Sequence, residues 1–296
     1  MAGNGMAGNG ASDSAAPALL GCYSNFTFLT GASHPAEMVA AAARAGWRAI
    51  GIADVNSLAG MVRAHMAARD HAIRLLVGVR LRPADGPDVI VHPCDRDGYE
   101  GLSALLSAAN MRGTKAAPIL HLADLARLPA RTALLVMPPL HPDAAYQAHL
   151  QMITQLAKGQ VFAGMCLYRD GADHLRCDTI AQIATANGVP LAAAADALYH
   201  HPSRRPLADV LACIRDKKQL DEAGYLLSRN AERHVIDHAE AVRRWQPWPA
   251  ALAGADQLAS LCRFSMDDLS YDYPHAITSH GRNAMQELEF QTWRGA

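Results

Sequence analysis

From Ala18 to about Arg205 the chain alternates short apolar runs with amphipathic segments, and this alternation limits its fold more than any other feature. Seven strands are predicted, at 19–23, 48–53, 75–81, 88–92, 132–137, 161–167 and 190–194. Helices are predicted between them at 57–71, 95–109, 143–156 and 174–187, with a short one near 122–125. A further helix is expected from Pro35 to Ala45, with Ser33 as N-cap and a proline in the first turn. Strand–helix alternation over this length builds a mainly parallel α/β sheet with helices outside, either a closed barrel or a doubly wound sheet. Runs such as VFAGMCL suit strands buried on both faces.

The ends read differently. Residues 1–17 repeat MAGNG and continue with Ser, Asp and Ala, a composition that cannot bury a core, so a disordered leader is expected there. The barrel is expected over 18–235, and a helical extension over 236–296. The last segment, NAMQELEFQTWRGA, carries Met285, Leu288, Phe290 and Trp293, an apolar set that needs a partner surface and reads as a docking face at a fragment boundary.

Composition narrows the function classes. The 296 residues carry a net charge of -1, without the basic surplus of a protein that grips a duplex through its phosphates, so DNA binding by this chain alone is expected to be weak at most. No apolar run approaches the ~20 residues of a membrane span and no signal peptide is evident, which makes a cytoplasmic location the expectation. The six cysteines form no CxxC and read as reduced structural thiols.

In a barrel, chemistry sits at the C-terminal ends of the strands. There the sequence places Asp54 and Asp196 as candidate acids, with Arg80 on the third strand. Two isolated carboxylates fall short of the three protein ligands that a catalytic ion needs. The 14 histidines form neither HxH nor HExxH; His65 and His71 fall on different helical faces, His200 and His201 read as loop and helix entry, and His141 as exposed. No GxSxG elbow, Walker loop or Rossmann fingerprint occurs.

The strings SNFTFLTGASHP at 24–35, GWRAIGIADVNSLAGMVRAH at 46–65, SRRPLADVLACIR at 203–215, NAERH at 230–234 and CRFSMDDLSYDYP at 262–274 are more specific. Together with DRDGYEGLSALLSAAN at 95–110, this ordered set resembles the N-terminal PHP (polymerase and histidinol phosphatase) domain of bacterial C-family DNA polymerases, and matches the error-prone branch best. The resemblance implies a distorted (β/α)7 TIM-like barrel, followed by the helical start of the polymerase palm and thumb region.

It also implies where a metal site would lie. The metal-binding members carry HxH at the end of the first strand, where this chain has Gly21 and Tyr23, and an acid in the next loop, where it has Thr30. They carry Asp-His after the second strand, where Asp54 is kept but Val55 follows. Arg80 replaces a glutamate on the third strand, Asp88 a histidine opening the fourth, and Asp-x-His becomes Asp196 with Leu198. Only Asp54 and Asp196 survive as vestigial acids, so no metal and no catalytic residue is expected in this site.

By the same resemblance the chain is an inactive, supporting PHP module of an error-prone polymerase involved in damage-induced mutagenesis and translesion synthesis. Nucleotidyl transfer and its Mg2+ would belong to a polymerase core outside this chain. Expected partners are the rest of the polymerase chain and, through other regions, mutagenesis-complex proteins and the sliding clamp. The competing readings are a free-standing metal-dependent phosphoesterase of the histidinol-phosphatase kind and a non-catalytic docking protein.

Overall fold

The computed structural model describes residues 17–114, 117–270 and 281–295. Seven strands, β1 (Ala18–Cys22), β2 (Ala49–Val55), β3 (Arg74–Leu81), β4 (Val89–Pro93), β5 (Thr132–Val136), β6 (Gln160–Met165) and β7 (Leu191–Ala193), pair in chain order in one sheet. Past β7 the chain returns to β1: Ala195 N donates to Leu20 O and Tyr23 N to Ala197 O, each at 2.9 Å. The sheet thereby curls into a nearly closed barrel. Residues 1–16 of the expected leader lie outside the described residues, while Pro17 O accepts from Arg48 N and Ala49 N and starts β1.

The sheet is parallel except at β4, which runs antiparallel to both β3 and β5. The expectation of alternating parallel units misses this reversal. Only residues 82–88 join β3 to β4, too few for a crossover helix, so the chain must turn back on itself.

The helices are α1 (Pro35–Arg44), α2 (Met61–Asp70), α3 (Arg96–Arg112), α4 (Ala144–Leu156), α5 (Asp173–Ala186), α6 (Arg205–Asp216), α7 (His238–Arg244), α8 (Pro249–Leu261) and α9 (Ala284–Gly295). Asp95 and Asp143 cap α3 and α4 by accepting from Gly98 N and Tyr146 N, each at 3.0 Å. At α1 the expected cap, Ser33, is not used: Glu37 accepts from His34 N at 2.8 Å, and Ser33 Oγ pairs with His200 Nδ1 across the barrel mouth. A tertiary contact has taken the hydroxyl from its local role. No helix among the described residues is long and apolar enough to cross a membrane.

Strand residues alternate between two buried environments. Ile90, Leu135 and Phe162 belong to one core cluster, while Val89, Val91, Leu134 and Val136 pack in a second with α3 and α4. Burying each of these side chains stabilises the fold by about 1.5–3 kcal/mol. His92 is a polar member of this interior. A Cβ on Gly78 would come within 2.6 Å of its ring, so a glycine on β3 makes the space it occupies.

Beyond residue 235, helix α8 packs directly on the barrel. A Cβ on Gly254 would lie 1.7 Å from Leu191 O, so the backbone of α8 rests directly on β7. Ala251, Ala255, Leu258 and Ala259 are buried with it. Residues up to Met266 form one compact unit, and Asp267–Ala296 form a second. In the second unit α9 presents Met285, Leu288, Phe290 and Trp293 at 72, 63, 42 and 77% exposure, with the Arg282 guanidinium 3.8 Å from the Phe290 ring centroid.

Candidate functional site at the barrel mouth

Asp54 is the penultimate residue of β2 and is fully buried. Its Oδ1 accepts from Ser24 N at 2.8 Å and Thr27 Oγ1 at 2.6 Å, and its Oδ2 accepts from Ser24 Oγ at 2.6 Å. The hydroxyls accept in turn: Phe26 N donates to Ser24 Oγ, and Val55 N to Thr27 Oγ1. Neutral donors thus satisfy the carboxylate, and it fixes the loop between β1 and α1. A Cβ on Gly60 would stand 3.1 Å from Oδ2, so this side is closed as well.

Asp196 lies beyond β7 in a left-handed conformation, φ +48°. Arg80 Nη2 donates to its Oδ1 at 2.6 Å, and Tyr168 OH at 2.9 Å and Arg233 Nη2 donate to its Oδ2. Arg233 Nε also donates to Asp196 O at 3.0 Å. Burial pushes the Asp196 carboxyl up, but Arg233 and Arg80 outweigh it and hold the group below the usual carboxylate range. Burial and then Asp196 push the Tyr168 phenol well above its ordinary value, so it stays a donor. Arg80 itself is 3% exposed, and burial, which favours its neutral form, is overcome by Asp196.

The rest of the mouth supports this cluster. The Tyr23 ring lies 4.3 Å from the Arg80 guanidinium, a cation–π contact. Asp88 binds Arg82 through Nε at 3.1 Å and Nη2 at 3.0 Å, and stands 3.6 Å from Arg80 Nη1. Arg176, almost completely buried, holds Asp170 and Asp173 in the loop that carries Tyr168. Of the residues singled out in the sequence, Tyr23, Arg80, Asp88 and Asp196 come together. Gly21, at φ +75°, lets β1 pass close to Ala194 and Ile90. Thr30 Oγ1 accepts from Arg215 instead of facing the cluster. Val55 and Leu198 pack with Tyr23 and Tyr199 in a small apolar cluster. Sequence reading missed Arg233 and Tyr168; Arg233 lies within the NAERH string, and Tyr168 three residues past β6, at the strand ends where a barrel concentrates function.

Two histidines have clear structural places, His201 in the loop after β7 and His92 in the barrel interior. His201 accepts from Ser203 N at the start of a short turn, and His141 is exposed. His92 is wholly buried, with Nδ1 paired to Val77 O at 2.8 Å, so that nitrogen carries the proton. Burial pushes its pKa down to about 4, against the hydrogen bond, and the ring is neutral.

A cavity of about 540 Å³ opens at the mouth, lined by Arg80, Asp88, His141, His149, Tyr168 and Asp196, among others. These residues do not fit a divalent ion. Both oxygens of Asp196 are taken by charged or protonated donors, and two guanidinium groups lie where an ion would meet direct repulsion. Among the described residues no group of three or more His, Cys, Asp or Glu side chains could hold a metal.

The family model of the PHP domain matches residues 20–183, which is more than half of the chain and spans β1 to α5. The chain belongs to the PHP domain family. This PHP domain is 43% identical over 282 residues to an error-prone DNA polymerase of Rhodopseudomonas palustris (strain BisB5), covering 93% of this chain and 25% of that protein. It is 40% identical over 279 residues to an error-prone DNA polymerase of Brucella abortus biovar 1, covering 92% of this chain and 26% of that protein. The chain therefore spans about a quarter of the length of the curated relatives it matches. Among solved structures, an amidohydrolase from Chromobacterium violaceum is 13% identical with a TM-score of 0.46, covering 60% of this chain and 86% of that one, too loose a likeness to argue from.

Proposed function

We propose that this PHP domain is the non-catalytic supporting module of an error-prone DNA polymerase that acts in translesion synthesis. The Arg80–Asp196–Arg233 cluster carries the reading. Its two guanidinium groups, one of them Arg80 on the third strand, occupy both oxygens of Asp196, which supports reading that acid as a structural counter-ion. The similarity to error-prone polymerases, about four times longer, supports a role inside a larger chain. In that setting the barrel stabilises the polymerase, while nucleotidyl transfer, its Mg2+ and most DNA contacts belong elsewhere. The exposed apolar residues of α9 supply a face for the rest of the polymerase to cover.

The test is metal content and hydrolysis on the purified chain. Atomic emission should find no stoichiometric zinc or manganese, EDTA should leave the melting temperature unchanged, and added metal should elicit no phosphoesterase activity on p-nitrophenyl phosphate. Stoichiometric metal together with hydrolysis that disappears in Asp196→Asn overturns the proposal.

A further inference from the structure

Of six cysteines that look scattered in the sequence, Cys94 and Cys262 meet in the fold. Cys94 directly follows β4 and precedes Asp95, the N-cap of the 17-residue α3. Cys262 directly follows α8. Arg263 N donates to Cys94 O at 2.9 Å, and the Phe264 ring stacks on Tyr99 of α3 with centroids 4.6 Å apart. These contacts pin the end of α8 against the first turn of α3. The backbone contact sets the two cysteines beside each other, and both are free thiols.

The two sulfurs are not equivalent. Cys94 is half-buried, whereas Cys262 is 3% exposed. Cys94 directly precedes Asp95, the N-cap of α3, whose carboxylate opposes an anionic sulfur, while the Arg131 guanidinium favours one. The neighbouring Cys262 draws the Cys94 thiol below its usual range against burial and the Asp95 carboxylate, and Cys94 together with burial raises Cys262. Cys22, Cys166 and Cys177 have the opposite character: burial pushes each up, Cys166 and Cys177 to about 12. An accessible, easily ionised thiol backed by a second buried thiol is the order of groups that peroxide oxidation to a disulfide requires.

We propose that Cys94 and Cys262 form a peroxide-responsive dithiol that closes to an intrachain disulfide. The Cys94 thiolate attacks hydrogen peroxide; an S–O bond forms, the O–O bond breaks, and hydroxide leaves a sulfenic acid on Cys94. The Cys262 sulfur then attacks the Cys94 sulfur and displaces the sulfenic oxygen as water, which takes up the thiol proton. Two thiols are oxidised by two electrons and one peroxide is reduced to two waters. The backbone hydrogen bond from Arg263 N to Cys94 O prepares the close approach that a disulfide demands, because it sets the two cysteines side by side. The new bond ties the last turn of α8 to the corner between β4 and α3.

The test treats the full chain with hydrogen peroxide, blocks remaining thiols with N-ethylmaleimide, and maps tryptic peptides without reductant. Peptides 81–96 and 245–263 each contain one cysteine. They should appear linked after peroxide and separate after dithiothreitol, with the other four cysteines alkylated upon unfolding. In Cys262→Ser, dimedone should trap a sulfenic acid on Cys94, and in Cys94→Ser Cys262 should remain a thiol. Cys94 driven to sulfinic acid in the unmutated chain, or links that scatter over other cysteines, overturns the proposal.

Discussion

Asp54 and Asp196 are two buried carboxylates at one barrel mouth, held by opposite means. Asp54 is met by a backbone N–H and two hydroxyls from one loop, 27 to 30 residues away in sequence. Asp196 is met by two guanidinium groups and a phenol drawn from β3, the stretch before α7 and the loop after β6. The first arrangement shapes a loop locally; the second binds four distant parts of the chain through charge. A buried carboxylate at one barrel mouth can thus be held by neutral donors from one loop or by charges gathered from across the chain.

That contrast breaks most directly by removing one charge at a time. Asp196→Asn leaves Arg233 without its carboxylate and Arg80 with only the more distant Asp88, and should cost about 3–5 kcal/mol, the range for one partner lost from a buried ion pair. Asp54→Asn keeps the shape and most hydrogen bonds and should cost about 1–2 kcal/mol. Urea unfolding of both variants is the check, and equal losses would show that the cations at Asp196 add nothing.

Acid pH sharpens the comparison. Unfolded histidine titrates near 6.5, whereas buried His92 titrates at about 4. Between those values only the unfolded chain takes up this proton, so stability should fall by about 1.4 kcal/mol per pH unit as the pH drops. The Asp196 carboxylate is depressed in the fold. Its contribution is therefore complete above the ordinary carboxylate value of about 3.9 and is lost as the pH falls through its lower folded value. Melting temperatures from pH 7 to 3 should decline in both windows for the unmutated chain, while Asp196→Asn should lose only the dependence below about 4. If Asp196→Asn also flattened the upper window, the assignment of that window to His92 would fail.

The smallest effect is expected outside the cluster. Arg82 pairs with Asp88 but its side chain is 55% exposed, and Arg82→Ala should change stability by less than about 1 kcal/mol. A larger loss in the same urea titration would mean that Asp88 depends on Arg82 to stay aligned with Arg80.

The strands were legible because runs buried on both faces leave few alternatives. The predicted 75–81 and 132–137 differ from β3 and β5 by a single residue at one end. The reversal at β4 was also legible, since the link at 82–88 has no room for a helix, but the alternating pattern masks it. The partners of Asp196 were not legible. Periodicity reports which face a residue takes, not which distant side chain it meets, and Tyr168 and Arg233 lie 28 and 37 residues away. Ser33 shows a further limit, because a good capping residue is spent on His200 once the mouth assembles.

The seam where β7 returns to β1 has a consequence for synthesis. Its hydrogen bonds join Leu20 to Ala195, and α8, ending at Leu261, packs against both strands bordering the seam. A ribosome adding ~5–20 residues per second takes on the order of ten seconds from Ala195 to Cys262. Throughout that interval the two edge strands have no cover, so the nascent chain is most open to wrong pairing and to chaperone capture after most of its barrel has been made.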